Sequence, residues 1–288
     1  MGNTLFIVWR ESVEGILVVG ILYAWLKAHP EGARGMRYLW GGVAAGLGLA
    51  GLLALAMMGV YSSLDGDALD YFQLGMMLVA AGLITQMVFW MRKHGRTLKM
   101  ELETGLERAT GEAKWMGVSV IAMLAVGRES AETVIFLYGN GMGQQGLAFA
   151  QFLGAAAFGF ALALLTFWLL VKGGRTLSWK NFFRISETLL LLLAAGLLVS
   201  GVEKMIGYNW IPALADPVWD SSFLLDDNAT VANLIATLTG YRAHPALTLV
   251  LVYASYWVLV GYQLSAVSDQ PNPHAAKLRT KPKLTAER

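Results

Sequence analysis

Residues 4–26 read TLFIVWRESVEGILVVGILYAWL, an apolar run that carries an arginine and two glutamates in its middle. A helix that crosses a bilayer needs about 20 predominantly apolar residues. Ionisable side chains inside such a helix are costly, so they mark functional sites. The segment therefore predicts a membrane helix that carries a buried charged site.

The whole chain has the composition of a membrane protein. Of its 288 residues, 56% are hydrophobic and 15% are charged, and the mean hydropathy is +0.52, which is too apolar for an ordinary soluble domain. The absence of cysteine excludes a disulfide framework and a thiolate metal site. Seven apolar runs are long enough to span, at roughly 4–26, 37–61, 70–91, 115–139, 147–171, 185–206 and 245–266.

The basic residues predict the orientation. Most of the 22 lysines and arginines lie after the first, third and fifth runs and in the tail after the seventh. Apart from Arg10 and Arg128, which lie in the middle of their runs, only Lys204 and Arg242 fall on the opposite side. The positive-inside rule then puts the N-terminus outside and the C-terminus inside.

The outer side is acidic by contrast. Asp65, Asp67 and Asp70 share one outer loop, where they are expected to form a vestibule that concentrates cations. Ordinary solvated loop carboxylates are the alternative. The outer loop at 207–244 combines further aspartates with aromatic residues. It is the expected docking surface for an outer partner protein, with an interfacial aromatic belt as the alternative.

The first three runs resemble the next three in the same order. RESVE at 10–14 aligns with RESAE at 128–132, and AAGL at 80–83 recurs at 194–197. Between them, Gly41 and Gly46 align with Gly154 and Gly159. The glycine and AAGL matches alone could be coincidence, but the charged pentapeptide makes that improbable. A three-helix unit must enter the membrane from the opposite side in its second copy, which is the inverted repeat of many secondary transporters.

The predicted fold class is therefore an all-α polytopic membrane protein with seven transmembrane helices. A single permease domain covers residues 1–267, and a disordered basic cytoplasmic tail covers 268–288. The domain consists of repeat one at 1–92, repeat two at 115–206 and an extra helix at 245–266.

The two charged pentapeptides form the candidate site. In each, the glutamates are three residues apart and share a helix face, and the arginine is four residues before the second glutamate, within reach of an ion pair. Both motifs lie about 15 Å from the outer ends of their helices, near the midplane. Two antiparallel helices would then bring together Glu11, Glu14, Glu129 and Glu132, with Arg10 and Arg128 offsetting part of their charge.

The excess of acids predicts a cation site, and oxygen-only ligands favour a hard cation. The alternative is that each arginine neutralises its neighbour and the pairs join helices, although a buried pair seldom adds stability. No histidine lies in any run, which argues against zinc, nickel or a histidine proton relay. The methionines are expected to serve packing rather than Cu(I) binding. Further candidates along the pathway are Glu187, Glu203 and Gln86.

Two intramembrane R-E-x-x-E motifs, on the first and fourth of seven helices, resemble the high-affinity, oxidase-dependent iron permease family with its EfeU-like and FtrC-like bacterial members. VFWMRK at 88–93 also looks like EfeU. The family usually has Gly-Leu between the two acids, whereas this chain has Ser-Val at 12–13 and Ser-Ala at 130–131, which leaves the ion and partner open. The resemblance implies iron ligands or relays at Glu11, Glu14, Glu129 and Glu132, oriented by Arg10 and Arg128.

The resemblance further implies import of iron into the cytoplasm, with ferrous iron oxidised outside and ferric iron passed inward. It implies a periplasmic or extracellular ferroxidase or iron-binding partner, and an integral protein of the bacterial inner membrane in contact with lipid. No enzyme activity, resident cofactor or nucleic-acid partner is expected. Two alternatives stay open: transport of another metal such as lead or manganese, and a seven-helix receptor. A retinal receptor would need a lysine in the last run, which has none.

Overall fold

Seven long helices make up most of the computed structural model, which describes residues 2–94, 100, 102–106, 115–139, 147–172, 179–223, 235–236 and 238–268. The helices are α1 (Gly2–Ala28), α2 (Gly32–Ser63), α3 (Asp67–His94), α4 (Met116–Gly139), α5 (Leu147–Lys172), α6 (Trp179–Gly207) and α7 (Leu247–Ser268). Each coincides with a predicted apolar run, and the described residues include no strand. The predicted tail after Ser268 lies outside the described residues.

Five of these helices, α2, α3, α5, α6 and α7, are long and apolar enough to cross a membrane. Helices α1 and α4 carry the two charged motifs, and these lower their apolar content. With 27 and 24 residues, they are still about 40 Å and 36 Å long at 1.5 Å per residue. By length and composition, the protein is thus an all-helical bundle of membrane-crossing character.

The charged helices lie in the middle of this bundle. Helix α1 packs against α2, α4 and α5, and helix α4 packs against α1, α2 and α3. In the flanking helices α2 and α5, only 11% of the most apolar 18-residue stretch is buried inside the protein, whereas 61% of the corresponding stretch of α6 is buried. Since exposed apolar side chains suit lipid rather than water, α2 and α5 form the lipid-facing flanks and shield the charged pair.

The repeated AAGL segments lie in the main core. Ala80 and Ala81 of α3 and Ala194 and Ala195 of α6 are all buried, and the two helices pack against each other. Small side chains let helix backbones approach closely in a membrane. Side chains from α1, α4 and α7 complete the same core.

A second cluster lies towards the C-terminal end of α1. Val18, Leu22 and Leu26 pack there with residues of α2 and α4. Leu106, from the short helical stretch 102–106, is buried in the same cluster. This end of α1 is thereby held from several sides.

Helix α2 meets α4 at Gly46. A Cβ added to Gly46 would lie 2.9 Å from the carbonyl oxygen of Met123, 2.8 Å from the nitrogen of Gly127 and 3.2 Å from Cβ of Val126. Any larger residue would therefore push the two helices apart.

Helix α5 meets α1 in the same way at Gly159. A Cβ there would lie 2.6 Å from the carbonyl oxygen of Leu5, 3.2 Å from the nitrogen of Trp9 and 3.3 Å from Cβ of Val8. The two charged motifs are related by a fixed offset in residue number. The same offset relates Leu5, Val8 and Trp9 to Met123, Val126 and Gly127, which are the three residues around Gly46. The two halves of the chain thus use matching glycines for matching contacts.

The described parts of the segment between α6 and α7 pack on each other. The amide of Val218 donates to the carbonyl of Pro245 at 2.9 Å, and the amide of Ser221 donates to the carbonyl of Ala243 at 3.0 Å. Hydrogen bonds donated by Ser222 lower the pKa of the exposed Asp220. This part of the predicted docking surface therefore has a defined backbone conformation.

Candidate metal site

Three carboxylates from two helices converge in the middle of the bundle. One oxygen each from Glu11, Glu14 and Glu129 lies within 4.8 Å of the other two. Glu11 is 2% exposed, and the other two are partly buried. Because hard cations bind oxygen at about 2.0–2.6 Å, oxygens at this spacing can share one ion. We call these three residues the carboxylate group.

In the first motif, the arginine is completely enclosed. The Arg10 side chain is 1% exposed, its Nη1 donates to Oε1 of Glu11 at 2.8 Å, and its Nη2 pairs with Glu14. The same two nitrogens also donate to sulfur atoms of α3, Nη1 to Sδ of Met87 at 2.9 Å and Nη2 to Sδ of Met91 at 2.8 Å. Arg10 thus compensates both glutamates of its own helix.

The second motif is more open. Arg128 Nε donates to Oε1 of Glu132 at 2.8 Å, with side-chain exposures of 38% and 17%. The Arg128 guanidinium also lies over the ring of Trp90 in α3, 4.2 Å from its centroid. The two motifs are therefore similar in sequence but not in surroundings.

Glu129 is the exceptional acid. In the described part of the chain it makes no ion pair, and its Oε2 is buried without a hydrogen-bond partner, as are Oε2 of Glu11 and Oε2 of Glu132. Two unit charges 4.8 Å apart repel each other by about 3 kcal/mol at an effective dielectric constant of 20. A cation between the carboxylates would relieve this repulsion and supply the missing partner.

The sequence pattern predicted one group of four glutamates, and the structure brings three of them together. Glu132 is instead held by its own arginine, beside the group. The alternative of neutralising ion pairs describes part of the site, because each arginine pairs within its own helix. It does not account for Glu129.

The pathway candidates on α6 are both ion-paired. Glu187 accepts a 2.8 Å hydrogen bond from Nε of Arg92 in α3, and Glu203 accepts one of 2.8 Å from Nη2 of Arg242. Gln86 has an exposed side chain, and no hydrogen bond joins it to any other residue that the structure describes. None of these three side chains belongs to the carboxylate group.

The candidate vestibule lies at the start of α3. Asp65 and Asp67 are exposed and Asp70 is partly exposed, and the latter two lie in the first turn of the helix, where the helix dipole favours negative charge. Desolvation, followed by a hydrogen bond and the charge of Asp70, raises the pKa of Tyr208. At 1.5 Å per residue, Asp70 is about 25 Å along α3 from Met87.

Sequence reasoning missed the contribution of α3. Met87, Trp90 and Met91 contact the two arginines of the motifs, whereas the methionines were expected to serve packing. Met87 does pack in the main core. The available signal was the spacing of the three residues, which puts them on one helix face.

Apolar helices that surround a buried group of carboxylates define a polytopic membrane protein of the transporter class. The sequence pattern of the Iron permease FTR1 family matches residues 1–268, and the chain belongs to this family. This confirms the family that the charged motifs predicted, and with it iron transport.

Several named relatives cover most of the chain. The Ferrous iron permease EfeU of Yersinia pestis is 28% identical over 263 residues, which are 88% of this chain and 89% of the relative. The proteins of the same name from Shigella sonnei (strain Ss046) and Escherichia coli O157:H7 are 28% identical over 267 residues, 90% of this chain and 94% of each relative. No solved structure matches the chain.

Proposed function

We propose that the protein imports iron across the bacterial inner membrane into the cytoplasm, and that the iron passes through the carboxylate group. The observation that carries this proposal is the convergence of Glu11, Glu14 and Glu129 within 4.8 Å inside a shell of apolar helices. Membership of an iron permease family supports iron as the cargo. The hard, oxygen-only ligand set agrees with that ion.

The proposed architecture has seven spans, arranged as a 3+3 inverted repeat plus α7. The equivalent contacts of Gly46 and Gly159 support the repeat. The lengths of α1 and α4 support their crossing the membrane. The distribution of basic residues supports an outer N-terminus and an inner C-terminus.

The chemistry of the site follows from its charge balance. Four carboxylates and two guanidiniums leave two net negative charges when all are ionised. Arg10 offsets Glu11 and Glu14, so these two residues contribute oxygen ligands at reduced repulsion. Glu129 contributes a carboxylate that forms no ion pair among the residues that the structure describes. A cation that gives up its water shell finds replacement oxygens in the carboxylate group.

We further propose that ferrous iron is oxidised on the outer side and enters as ferric iron, each ion giving one electron to an outer ferroxidase. The relatives carry the name ferrous iron permease, which fits a ferrous supply. The expected partner would dock on the loop at 207–244. Asp65, Asp67 and Asp70 would concentrate the cation at the outer mouth by their negative field.

The test is uptake of radioactive iron by cells that lack their own iron importers. Glu14→Gln and Glu129→Gln keep the shape of the side chain and remove its charge, and Glu31→Gln, at an exposed position before α2, is the matched control. Expression of each variant in the membrane is measured in parallel. We expect uptake by the native chain and the control, and loss of at least about tenfold in the other two variants.

Two outcomes would contradict the proposal. If folded Glu129→Gln transports as fast as the native chain, the carboxylates are structural. If Mn²⁺ or Pb²⁺ is taken up in preference to iron, the cargo is a different metal. The oxidation step is tested separately, by supplying ferrous iron with and without oxygen. Uptake should be slower without oxygen, and equal rates would reject oxidation before transport.

A further inference from the structure

We infer that one face of α3, formed by Met87, Trp90 and Met91, positions the arginines of both motifs and so sets the affinity of the carboxylate group for its cation. We call these three residues the α3 clamp. The inference rests on the proposed function, because it concerns the same site. The clamp residues are positioning residues that touch the arginines rather than the iron.

The geometry makes α3 the common support of both motifs. Residues at i, i+3 and i+4 lie on one face of a helix, as the clamp residues do. Met87 and Met91 accept hydrogen bonds of 2.9 Å and 2.8 Å from Arg10 of α1, and the ring of Trp90 lies 4.2 Å from the Arg128 guanidinium of α4. A single helix face therefore holds two guanidiniums that belong to different helices and to different halves of the chain.

The clamp holds these cations without adding charge. A thioether sulfur is a weak neutral acceptor, and an aromatic ring attracts a guanidinium through its electron-rich face. An acid in any of the three positions would compete with the glutamates for the arginines. A neutral contact instead fixes the position of each arginine and leaves its full positive charge directed at the motif.

The consequence concerns Glu129. Each Nη atom of Arg10 is shared between one glutamate of α1 and one methionine of α3. An arginine released from the clamp has donors free to turn towards Glu129, the acid that carries no ion pair among the described residues. The clamp thus keeps Glu129 available to the cation.

Leucine substitutions separate this role from packing. Met→Leu keeps the volume of the side chain and usually costs little stability, but leucine cannot accept a hydrogen bond. Met87→Leu/Met91→Leu therefore removes the two sulfur contacts to Arg10 alone. The single variant Met91→Leu changes only Met91, which is less buried than Met87. Met76→Leu/Met77→Leu, on the same helix and without an arginine contact in the described structure, is the matched control. Trp90→Phe keeps an aromatic face and Trp90→Leu removes it.

The experiment measures the apparent KM and maximal rate of iron uptake, and Fe²⁺ binding to each purified variant under nitrogen. We expect Met87→Leu/Met91→Leu and Trp90→Leu to raise KM and the Kd for Fe²⁺ about tenfold, the order of one charge-assisted hydrogen bond, with the maximal rate changed less than about twofold. Trp90→Phe and the methionine control should keep native values. A purely structural role would lower expression or maximal rate instead.

The outcomes distinguish the two proposals. Native KM and Kd in the folded Met87→Leu/Met91→Leu and Trp90→Leu variants would overturn the clamp while iron import stands. If the native chain binds Fe²⁺ but transports no iron, and the clamp variants bind Fe²⁺ more weakly than the native chain, the clamp is supported and import is overturned. A native chain that neither transports nor binds iron would overturn both.

Discussion

The carboxylates of Glu14 and Glu129 lie within 4.8 Å of each other, although they belong to different helices. Glu14 and Glu11 both form ion pairs with the enclosed guanidinium of Arg10. In the part of the chain that the structure describes, no arginine forms an ion pair with Glu129. The two motifs therefore contribute unequally, because α1 supplies two ion-paired ligands and α4 supplies a ligand without an ion pair of its own.

The two motif arginines should differ in their importance for stability. Arg10→Gln leaves two buried carboxylates without a partner, and removal of one member of a buried pair costs about 3–5 kcal/mol. The Arg128 side chain is 38% exposed and pairs with one glutamate only, so Arg128→Gln should cost less than Arg10→Gln. Thermal unfolding in detergent measures both values. Added Mn²⁺ should partly restore the midpoint of Arg10→Gln, and equal losses in the two variants would contradict the asymmetry.

The paired glycines should be equally intolerant of a side chain. Gly46→Ala and Gly159→Ala place a Cβ within 2.6–2.9 Å of backbone atoms of the neighbouring helix, and overpacking costs about 1–3 kcal/mol. Gly48→Ala and Gly154→Ala meet nothing within 4 Å, so they should be neutral or stabilising by up to about 1 kcal/mol. Midpoints of thermal unfolding check all four. A tolerated alanine at only one of the two tight positions would argue against equivalent halves.

The ion pair of Arg92 and Glu187 joins α3 to α6, and a charge swap tests what it does. Glu187→Gln should lower thermal stability, and Arg92→Glu/Glu187→Arg should restore it, because the pair is reformed in reverse. If Glu187 only joins helices, the swap also restores iron uptake. If Glu187 is a station on the pathway, stability returns but uptake does not. Glu203→Gln, at a pair whose acid is 50% exposed, should change stability less.

The orientation is open to direct measurement because the chain contains no cysteine. Single cysteines at the exposed positions of Asp65 and Trp219 should react with a membrane-impermeant maleimide added to intact cells from which the outer membrane has been removed. Cysteines in place of Arg34 and Lys172, which are also exposed, should react only after the membrane is opened. The reverse pattern would invert the proposed topology.

The sequence was most informative where a pattern is local. The seven helices coincide with the predicted apolar runs because length and hydropathy determine which segments suit a bilayer. The contact between α1 and α4, which brings the charged motifs together, agrees with the expected convergence, since burying isolated charges in lipid is costly. The family followed from the same two motifs.

The tertiary structure decided which side chains of each helix turn inward. Gln86 and Met87 are neighbours in the sequence, yet Gln86 is exposed while Met87 is buried against Arg10. Successive residues point in directions about 100° apart on a helix, so a small rotation of α3 would exchange them. That rotation is determined by packing, such as the buried alanines between α3 and α6.

The sequence by itself thus determined the positions of the seven long helices, the pair of charged motifs and the family. Only the tertiary structure decided that Glu129 lacks an arginine partner in the described chain, that Glu132 is held beside the group, and that α3 supports both arginines. The physical reason is that these properties depend on distances between helices and on their rotation. Both are set by close packing of residues far apart in the chain.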